Sequence, residues 1–411
     1  MKSLITALFF SAAAMIEAAE FRTWTSIKGT TVEAQFLKLD GEEVYLVTKQ
    51  PSEIKLKAAD LSLADRQYLV EFAQADKELI FKGDITVPEH EIKLPNDFLK
   101  EMEQILNFPG ESDLSFKLHE TEHFVFASNG KIRVKGLAET AEACWHGMAF
   151  QHMEFRANWG DEKMLVIVPD GQETYEALGE YQVNFLKKAG QQDAAMHTEN
   201  VWDKVGSVNM FVPEGEAKDL NLMPRATVFH TRDSKAFRDE FVPFQTHVIC
   251  SALYSFQLGG MSQVSGRGFF ALQTGHAYYK EILLCKKTQT NLLSSGSEGE
   301  IASKSGFKDG RSWARTLRSL VKRGKVEPKL QEMLDLDVHK LDPEKLVLMY
   351  SFSSYMQSTP KRIASYAKLT RQIHTSNQIP DTSEIARIFG FDSVEAFTKD
   401  WSDYIKSNDF R

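Results

Sequence analysis

Between Leu114 and Phe126 apolar side chains fall on even positions, at Leu114, Phe116, Leu118, Phe124 and Phe126, while Ser115, Lys117, His119 and His123 fall on odd ones. A period of two is the signature of a strand. The letters in the middle of this segment, His119-Glu120-Thr121-Glu122-His123, also satisfy the metal-binding formula His-Glu-x-x-His. That formula works on a helix, where residues four apart share one face and the intervening Glu can serve as general base. On an extended strand two imidazoles four residues apart stand roughly 13 Å from each other. A single zinc ion, with ligand bonds of about 2 Å, cannot take both. The pentapeptide is therefore read as strand, and the chemistry of the chain is sought elsewhere.

The amino terminus sets an expected compartment. Lys2 precedes an apolar run from Leu4 to Ile16 that ends in small residues around Glu17-Ala18-Ala19, which reads as a secretory signal peptide over residues 1–19. The run is short for a bilayer span, and no later segment matches one. The mature chain is expected to be secreted or periplasmic, with no stable membrane insertion. With 49 basic and 57 acidic residues the formal charge is −8, and no basic cluster marks a nucleic-acid partner. Cys144, Cys250 and Cys285 are the only cysteines. An odd number leaves at least one thiol free, and the spacing alone does not pair any two.

The first folded segment, 20–75, alternates in short strands: Val32, Ala34 and Phe36 share a face, Asp40-Gly41 supplies a turn, and Val44 and Leu46 continue. The period changes at Leu61-Ser62-Leu63-Ala64-Asp65, a capping-box start for a helix carrying Tyr68, Leu69 and Phe72. Arg22-x-Trp24, Gly29, Glu33-Ala34-x-Phe36, Val44-x-Leu46 and Leu61-Ser62-x-x-Asp65-x-x-Tyr68 together resemble the Sla-one homology domain one. That resemblance implies a small barrel of Src-homology-3-like type. In the endocytic adaptor where it was first known the domain binds short endocytic peptides, and its family is associated with clathrin, ubiquitin and cytoskeletal partners that an exported chain would not meet. Trp24 and Phe36 are expected in the core.

Residues 76–112, interrupted at Val87-Pro88, Leu94-Pro95-Asn96 and Phe108-Pro109-Gly110, read as a linker with one short helix from Phe98 to Leu106. The strand with His119 and His123 opens a second unit, 113–408. A helical pattern over Val134–Arg156 follows, with Leu137, Ala141, Cys144, Trp145, Met148 and Phe155 on its apolar positions. The run Met164-Leu165-Val166-Ile167-Val168 reads as a buried strand, and Tyr175–Lys188 as another helix. This order, with the pair His123-Phe124 on the early strand, resembles the amino-terminal half of gluzincin-type zinc peptidases of the peptidase-MA-like group. Their metal helix would correspond to Phe244–Leu258, whose Val248, Ile249, Ala252, Leu253 and Phe256 suit burial. There the family's His-Glu-x-x-His is His247-Val248-Ile249-Cys250-Ser251. The resemblance leaves the first ligand in place, puts Val248 at the general base and Ser251 at the second ligand. In the following helix Gly275, Ala277 and Tyr279 match, and Thr274 stands at the third ligand. A rebuilt site from His247, Cys250 and His276 is the open alternative.

Ser294–Gly299, continued by Ser303–Ser312, reads as a polar loop, and its glycines lack the Lys-Ser/Thr ending of a phosphate loop. Beyond it helices are predicted over Trp313–Lys322, Lys329–Leu334, Pro343–Gln357, Pro360–His374, Thr382–Phe389 and Val394–Ser407, with caps at Asp342, Asp381 and Asp392. The segment Phe391 to Trp401 resembles the last helix of a gluzincin bundle. There is no Gly-x-Ser-x-Gly elbow, no Cys-x-x-Cys and no dinucleotide-binding glycine motif after a strand. Asp161-Glu162 and Glu298/Glu300 fall in polar turns or loops. The expected fold class is α+β: a small Src-homology-3-like barrel, then a larger, mainly helical, gluzincin-like (zincin-type) unit with a small sheet. The expected function is non-catalytic binding of a protein or peptide, with no catalytic, cofactor-binding or metal-binding residue assigned and no cofactor. An active metal-dependent hydrolase with an atypical ligand set, or a structural envelope protein, are the alternatives.

Overall fold

The computed structural model describes residues 21–26, 30–73, 75, 94–108, 114–151, 162–204, 207–229, 242–257, 268–288, 307, 310–336 and 341–411. The expected signal peptide, most of the polar loop before Gly310, and Phe155 lie outside the described residues. The fold is mixed α+β and divides into two compact units, Met1–Ile85 and Thr86–Arg411.

In the first unit four antiparallel strands form a meander, β1 (Phe21–Thr25), β2 (Thr31–Asp40), β3 (Glu43–Thr48) and β4 (Glu53–Lys57). Gly41 makes the β2–β3 turn with φ of +61°, a left-handed conformation that glycine adopts without a Cβ clash. Period-two alternation puts Trp24, Ala34, Phe36, Val44 and Leu46 on one buried face. Helix α1 (Leu63–Phe72) covers that face with Leu69. Ser62 caps it, its Oγ accepting from the Asp65 backbone N–H at 3.3 Å, as the capping-box letters predict. One isolated bridge, Ser26 to Leu61, brings the end of the meander back to β1, and no closed barrel forms among the described residues.

Arg22, Trp24, Ser62, Asp65 and Tyr68 meet in one network. Buried Asp65 accepts hydrogen bonds from the Thr25 N–H at 2.7 Å and the Ser62 hydroxyl at 2.8 Å, and pairs with the Arg22 guanidinium at 2.8 Å. Arg22 lies 3.9 Å from the Tyr68 ring centroid, and Trp24 meets Tyr68 edge to face at 5.5 Å. The motif therefore ties β1 to α1. Trp24 and Phe36 are core residues, 1% and 6% exposed.

The second unit is built on a six-stranded sheet in the order β5-β6-β7-β8-β10-β9. Its strands are β5 (Lys100–Phe108), β6 (Leu114–Glu120), β7 (Phe124–Ser128), β8 (Lys163–Val168), β9 (Ser207–Phe211) and β10 (Leu222–Phe229). Strand β8 runs parallel to both β7 and β10 at the sheet centre. The apolar run Met164–Val168 is buried on both faces, as its composition requires. Met164, Val166 and Val168 join one core, Leu165 and Ile167 the other. Helix α3 (Gln172–Lys188), with Tyr175 and Leu178, covers the second face together with Trp202 and the short α5 (Glu214–Asp219), while α4 (Gln192–Val201) packs on α3. Helix α2 (Lys135–Gln151) covers the first face with Leu137, Ala141, Cys144 and Trp145.

Onto that first face also packs a helical mass: α6 (Val242–Gln257), α7 (Phe269–Cys285), α8 (Gly310–Lys322), α9 (Leu330–Leu334), α10 (Pro343–Met356), α11 (Pro360–Ser376), α12 (Thr382–Ile388) and α13 (Val394–Lys406). Helices α7 and α10 approach closely at Gly275, where an added Cβ would stand 2.4 Å from the Met349 carbonyl oxygen, inside contact distance. Asp342 and Asp381 cap α10 and α12 as predicted, each accepting a backbone N–H at 2.8 Å. The last cap is Ser393, not Asp392: its Oγ accepts from the Ala396 N–H at 3.1 Å. Among the described residues no helix is long and apolar enough to cross a membrane.

Two expectations are corrected. Phe98–Leu106, predicted as a linker helix, is largely strand β5, paired antiparallel with β6 through Leu106–Phe116 and Phe108–Leu114. Phe98, Met102, Ile105 and Leu106 carry helix-like spacing, but a neighbouring strand offers backbone partners and burial for Leu106 and Phe108, and this pairing outweighs local propensity. Residues 100–108 thus belong to the second unit, and its start lies before 113. Second, the segment 114–126 is no continuous strand. It is a hairpin, β6 and β7 joined by Thr121-Glu122-His123.

Candidate functional site

The antiparallel α6–α7 pair occupies the place at which a metal helix is expected, and its residues can be matched turn by turn. Thr246 Oγ1 lies 3.4 Å from Cys285 Sγ, His247 Nδ1 lies 3.0 Å from Glu281 Oε2, and Gln273 Nε2 donates to the Ser251 carbonyl at 3.0 Å. Sequence dictates the burial of α6, because Val248, Ile249, Cys250, Ala252 and Leu253 leave it no polar stripe on that side. His247 is only 6% exposed, Glu281 not at all, and the imidazole also meets the Tyr278 ring edge to face at 4.5 Å.

A carboxylate on Nδ1 is the arrangement that orients a metal-binding imidazole, yet the other donors do not fit a zinc site. Val248 is a core residue and Ser251 engages Gln273 through its carbonyl. Thr274 sits two helical turns from Glu281, about 10 Å along α7. The residue of α7 that reaches the His247 imidazole is the carboxylate of Glu281.

His247, Cys250 and His276 are not brought together as one ligand set. Cys250 is fully buried in the apolar core that α6 shares with α2. His276, fully buried on the side of α7 that faces α10 and α11, has Nδ1 at 3.4 Å from both Gln357 Nε2 and Tyr366 Oη, with the Tyr254 ring 5.0 Å away. Among the described residues no three His, Cys, Asp or Glu side chains are grouped to hold a metal ion.

The opening pentapeptide builds a second polar constellation. Thr121 Oγ1 accepts from the Phe124 N–H at 3.1 Å and closes the hairpin turn. The turn leaves His119 on β6, opposite Phe126, and lifts His123 onto α2. Glu142 of α2, 1% exposed, accepts from the His123 backbone N–H at 3.1 Å and pairs with its Nδ1 at 2.7 Å. The His123 ring stacks on Trp145 with centroids 3.4 Å apart, and Glu122 Oε1 stands 3.6 Å from Nε2. A cleft of about 410 Å³ adjoins this turn, lined in part by Asp97, Lys100, Glu120, Glu122, Glu142 and Lys163. Lys163 Nζ crosses its floor to Glu120 at 2.7 Å and the Thr121 carbonyl at 2.8 Å.

Burial would raise the Glu142 carboxyl, but the His123 ring, the Thr121 hydroxyl and the His123 N–H together hold it below its ordinary value of 4.5. A depressed folded-state pKa contributes stability that is complete above the unfolded value and is lost as pH falls through the folded one. Glu142→Gln is accordingly expected to flatten the acid limb of the stability curve below about pH 4.5 while lowering stability at pH 7 by about 1–3 kcal/mol. Urea denaturation of both proteins from pH 3 to 7 measures this. Parallel acid limbs would show that Glu142 is not the titrating group.

Sequence reading missed Glu142 and Glu281, together with buried Lys280. A signal existed for each carboxylate. Glu142 falls at i+4 from Ala138 and i−3 from Trp145, on the apolar stripe of α2, and Glu281 is followed directly by Ile282-Leu283-Leu284. Comparison of the chain with models of protein families, with curated proteins and with solved structures found no match.

Proposed function

We propose that the chain is an exported, non-catalytic binding protein in which a small Src-homology-3-like module accompanies a gluzincin-type scaffold that has lost its zinc site, and that it takes a protein or peptide partner. The observation that carries this reading is the state of α6: its two ligand-type residues, His247 and Cys250, are buried in the core, and His247 is paired with Glu281. Peptide hydrolysis on such a scaffold needs three metal ligands, an open coordination position and a base for the attacking water. Val248 and Ser251 provide neither base nor second ligand.

The cleft beside the 119–123 turn favours the kind of partner. Of the carboxylates that line it, Glu142 is engaged by His123 and Glu120 by Lys163, and Asp97 and Glu122 stand against Lys100, so complementarity suits a segment bearing Lys or Arg. The purified mature chain is expected to hold far less than one zinc per molecule, to show no chelator-sensitive peptide cleavage, and to capture a partner from exported proteins, with capture weakened by Glu122→Lys. Stoichiometric zinc with chelator-sensitive cleavage would establish the hydrolase instead. An inert protein that captures nothing specific would leave the structural envelope role.

A further inference from the structure

The chain as a whole has a formal charge of −8, yet Gly310 to Val326 holds Arg311, Arg315, Arg318, Lys322, Arg323 and Lys325 and no Asp or Glu. Most of this stretch is helix α8, whose Trp313, Ala314, Leu317 and Val321 are buried in the larger core. Burying that side leaves Arg315, Arg318 and Lys322, at i, i+3 and i+7, along one outward ridge of roughly 10 Å. Gly324 ends the helix with φ of +66°, its N–H donating to the Val321 carbonyl at 3.1 Å and that of Lys325 to the Leu320 carbonyl at 3.0 Å. The turn places exposed Arg323 and Lys325 at the same end as Lys322. Among the described residues Arg315, Lys322, Arg323 and Lys325 are all exposed and none makes an ion pair. Arg318 donates to the Phe410 carbonyl, while its buried Nε has no acceptor among the described residues. Complementing the helix dipole accounts for cations in the last turn. It does not account for Arg318 and Arg315, one and two turns further back. Like charges four residues apart, as in Arg318 and Lys322, cost an isolated helix stability, and a surface that keeps such repulsion is complementary to an anionic partner.

The ridge leads into a groove of about 450 Å³. One wall is the segment Glu327 to Gln331, which begins two residues past Lys325, and the other is α13, which packs on α8. Pro328, Leu330 and Val394 give the groove its apolar part. Its lysines, Lys329 and Lys399, already pair with Glu332 at 2.9 Å and Asp403 at 2.7 Å.

We infer that the α8 ridge and this groove are one docking surface for an acidic segment of another protein, with carboxylates along Arg315, Arg318 and Lys322 and one apolar side chain in the groove. The surface is separate from the cleft beside the 119–123 turn, which suits a basic segment. Two observations favour a protein segment over a bilayer or a nucleic acid. None of the large apolar side chains exposed among the described residues lies on α8, so the ridge has nothing to insert into lipid. Beyond the ridge, Glu327 and Glu395 line the groove and would repel a continuing phosphate backbone, whereas a peptide can present a neutral residue there.

The experiment follows the fluorescence anisotropy of a labelled peptide of about twelve residues, Asp and Glu around one central Leu, as the full chain is added. Saturable binding in the micromolar range is expected, weakened at least about tenfold by Arg315→Glu combined with Lys322→Glu, and similarly by salt at about 0.5 M. Replacing the central Leu of the peptide by Ser should weaken binding about fivefold. Both substituted side chains are exposed and unpaired, so the double variant should melt at the wild-type temperature. Should it fold poorly, Lys322→Gln alone, with binding about threefold weaker, takes its place. Equal binding by the wild type and the charge variants would overturn the surface, as would no saturable binding at about 1 mM peptide. Equal binding of the Leu and Ser peptides would overturn the part given to the groove. Phosphatidylglycerol vesicles or a single-stranded oligonucleotide held more tightly than the peptide, and released by the same substitutions, would assign the ridge to a membrane or a nucleic acid and overturn the acidic protein partner.

Discussion

Glu281→Ala is expected to destabilise the larger unit by about 3–5 kcal/mol, the cost of leaving a buried partner uncompensated. Glu281 is fully buried and 3.0 Å from His247 Nδ1. Its loss strands an imidazole that is itself 6% exposed, beside the buried apolar side chains of Val248, Ile249 and Tyr278. Glu281→Gln, which keeps an acceptor and the volume, is expected to cost markedly less. Adding His247→Ala to Glu281→Ala should cost less than the two changes separately, with a coupling of about 1–3 kcal/mol. Denaturant melts of the four proteins supply the cycle. Additivity within about 0.5 kcal/mol would mean that the pair is not a unit, and would remove the observation on which the non-catalytic reading rests.

Trp24→Ala is expected to unfold the smaller unit and leave the larger one standing. Trp24 is 1% exposed, donates Nε1–H to the Ala34 carbonyl at 3.0 Å, and touches Phe36, Tyr68 and Arg22. Truncating such a side chain costs about 3–5 kcal/mol. A unit of this size has total stability of only about 3–8 kcal/mol. Its core cluster shares no residue with those of the larger unit. Hydrogen exchange should show protection lost over 21–72 and kept over the six-stranded sheet, with the main thermal transition unmoved. A common shift of both units would contradict their independence. Trp24→Phe, which refills most of the volume but drops the indole hydrogen bond, should cost about 1–2 kcal/mol.

Legibility varied with the range of the interaction that decides each element. The carboxyl-terminal helices were readable because their starts are local chemistry: Asp342 with Pro343, Thr359 with Pro360 and Asp381 each cap a turn within three residues. Ser393 replaced Asp392 as the last cap because both side chains suit the position and only backbone geometry separates them. Strand β8 was readable because five apolar residues in succession need two covered faces. Strand β5 was not, since its helix-like spacing yields only to a partner strand supplied by β6.

The pentapeptide shows the same division within five residues. Alternation of the flanks excluded a metal helix, and the structure has none there. Parity alone could not reveal the turn. Phe116 and Leu118 face one core, Phe124 and Phe126 the other, although all are even positions, because three residues at the turn reverse the chain. Glu142 and Glu281 fell in polar letters that a helix normally turns to water, and their burial depends on side chains brought by other elements.

By itself the sequence determined the small meander with its capping helix, the buried central strand, the helical carboxyl-terminal half and the placing of His247 on a largely apolar helix. These follow from periodicity and caps, which act within a few residues. Only the tertiary structure decided that His119 to His123 straddles a hairpin, that His123 is held by Glu142, and that His247 is held by Glu281. Each of those outcomes joins residues at least nineteen positions apart or turns on a reversal of chain direction, and no local pattern encodes which distant side chain will satisfy a buried polar group.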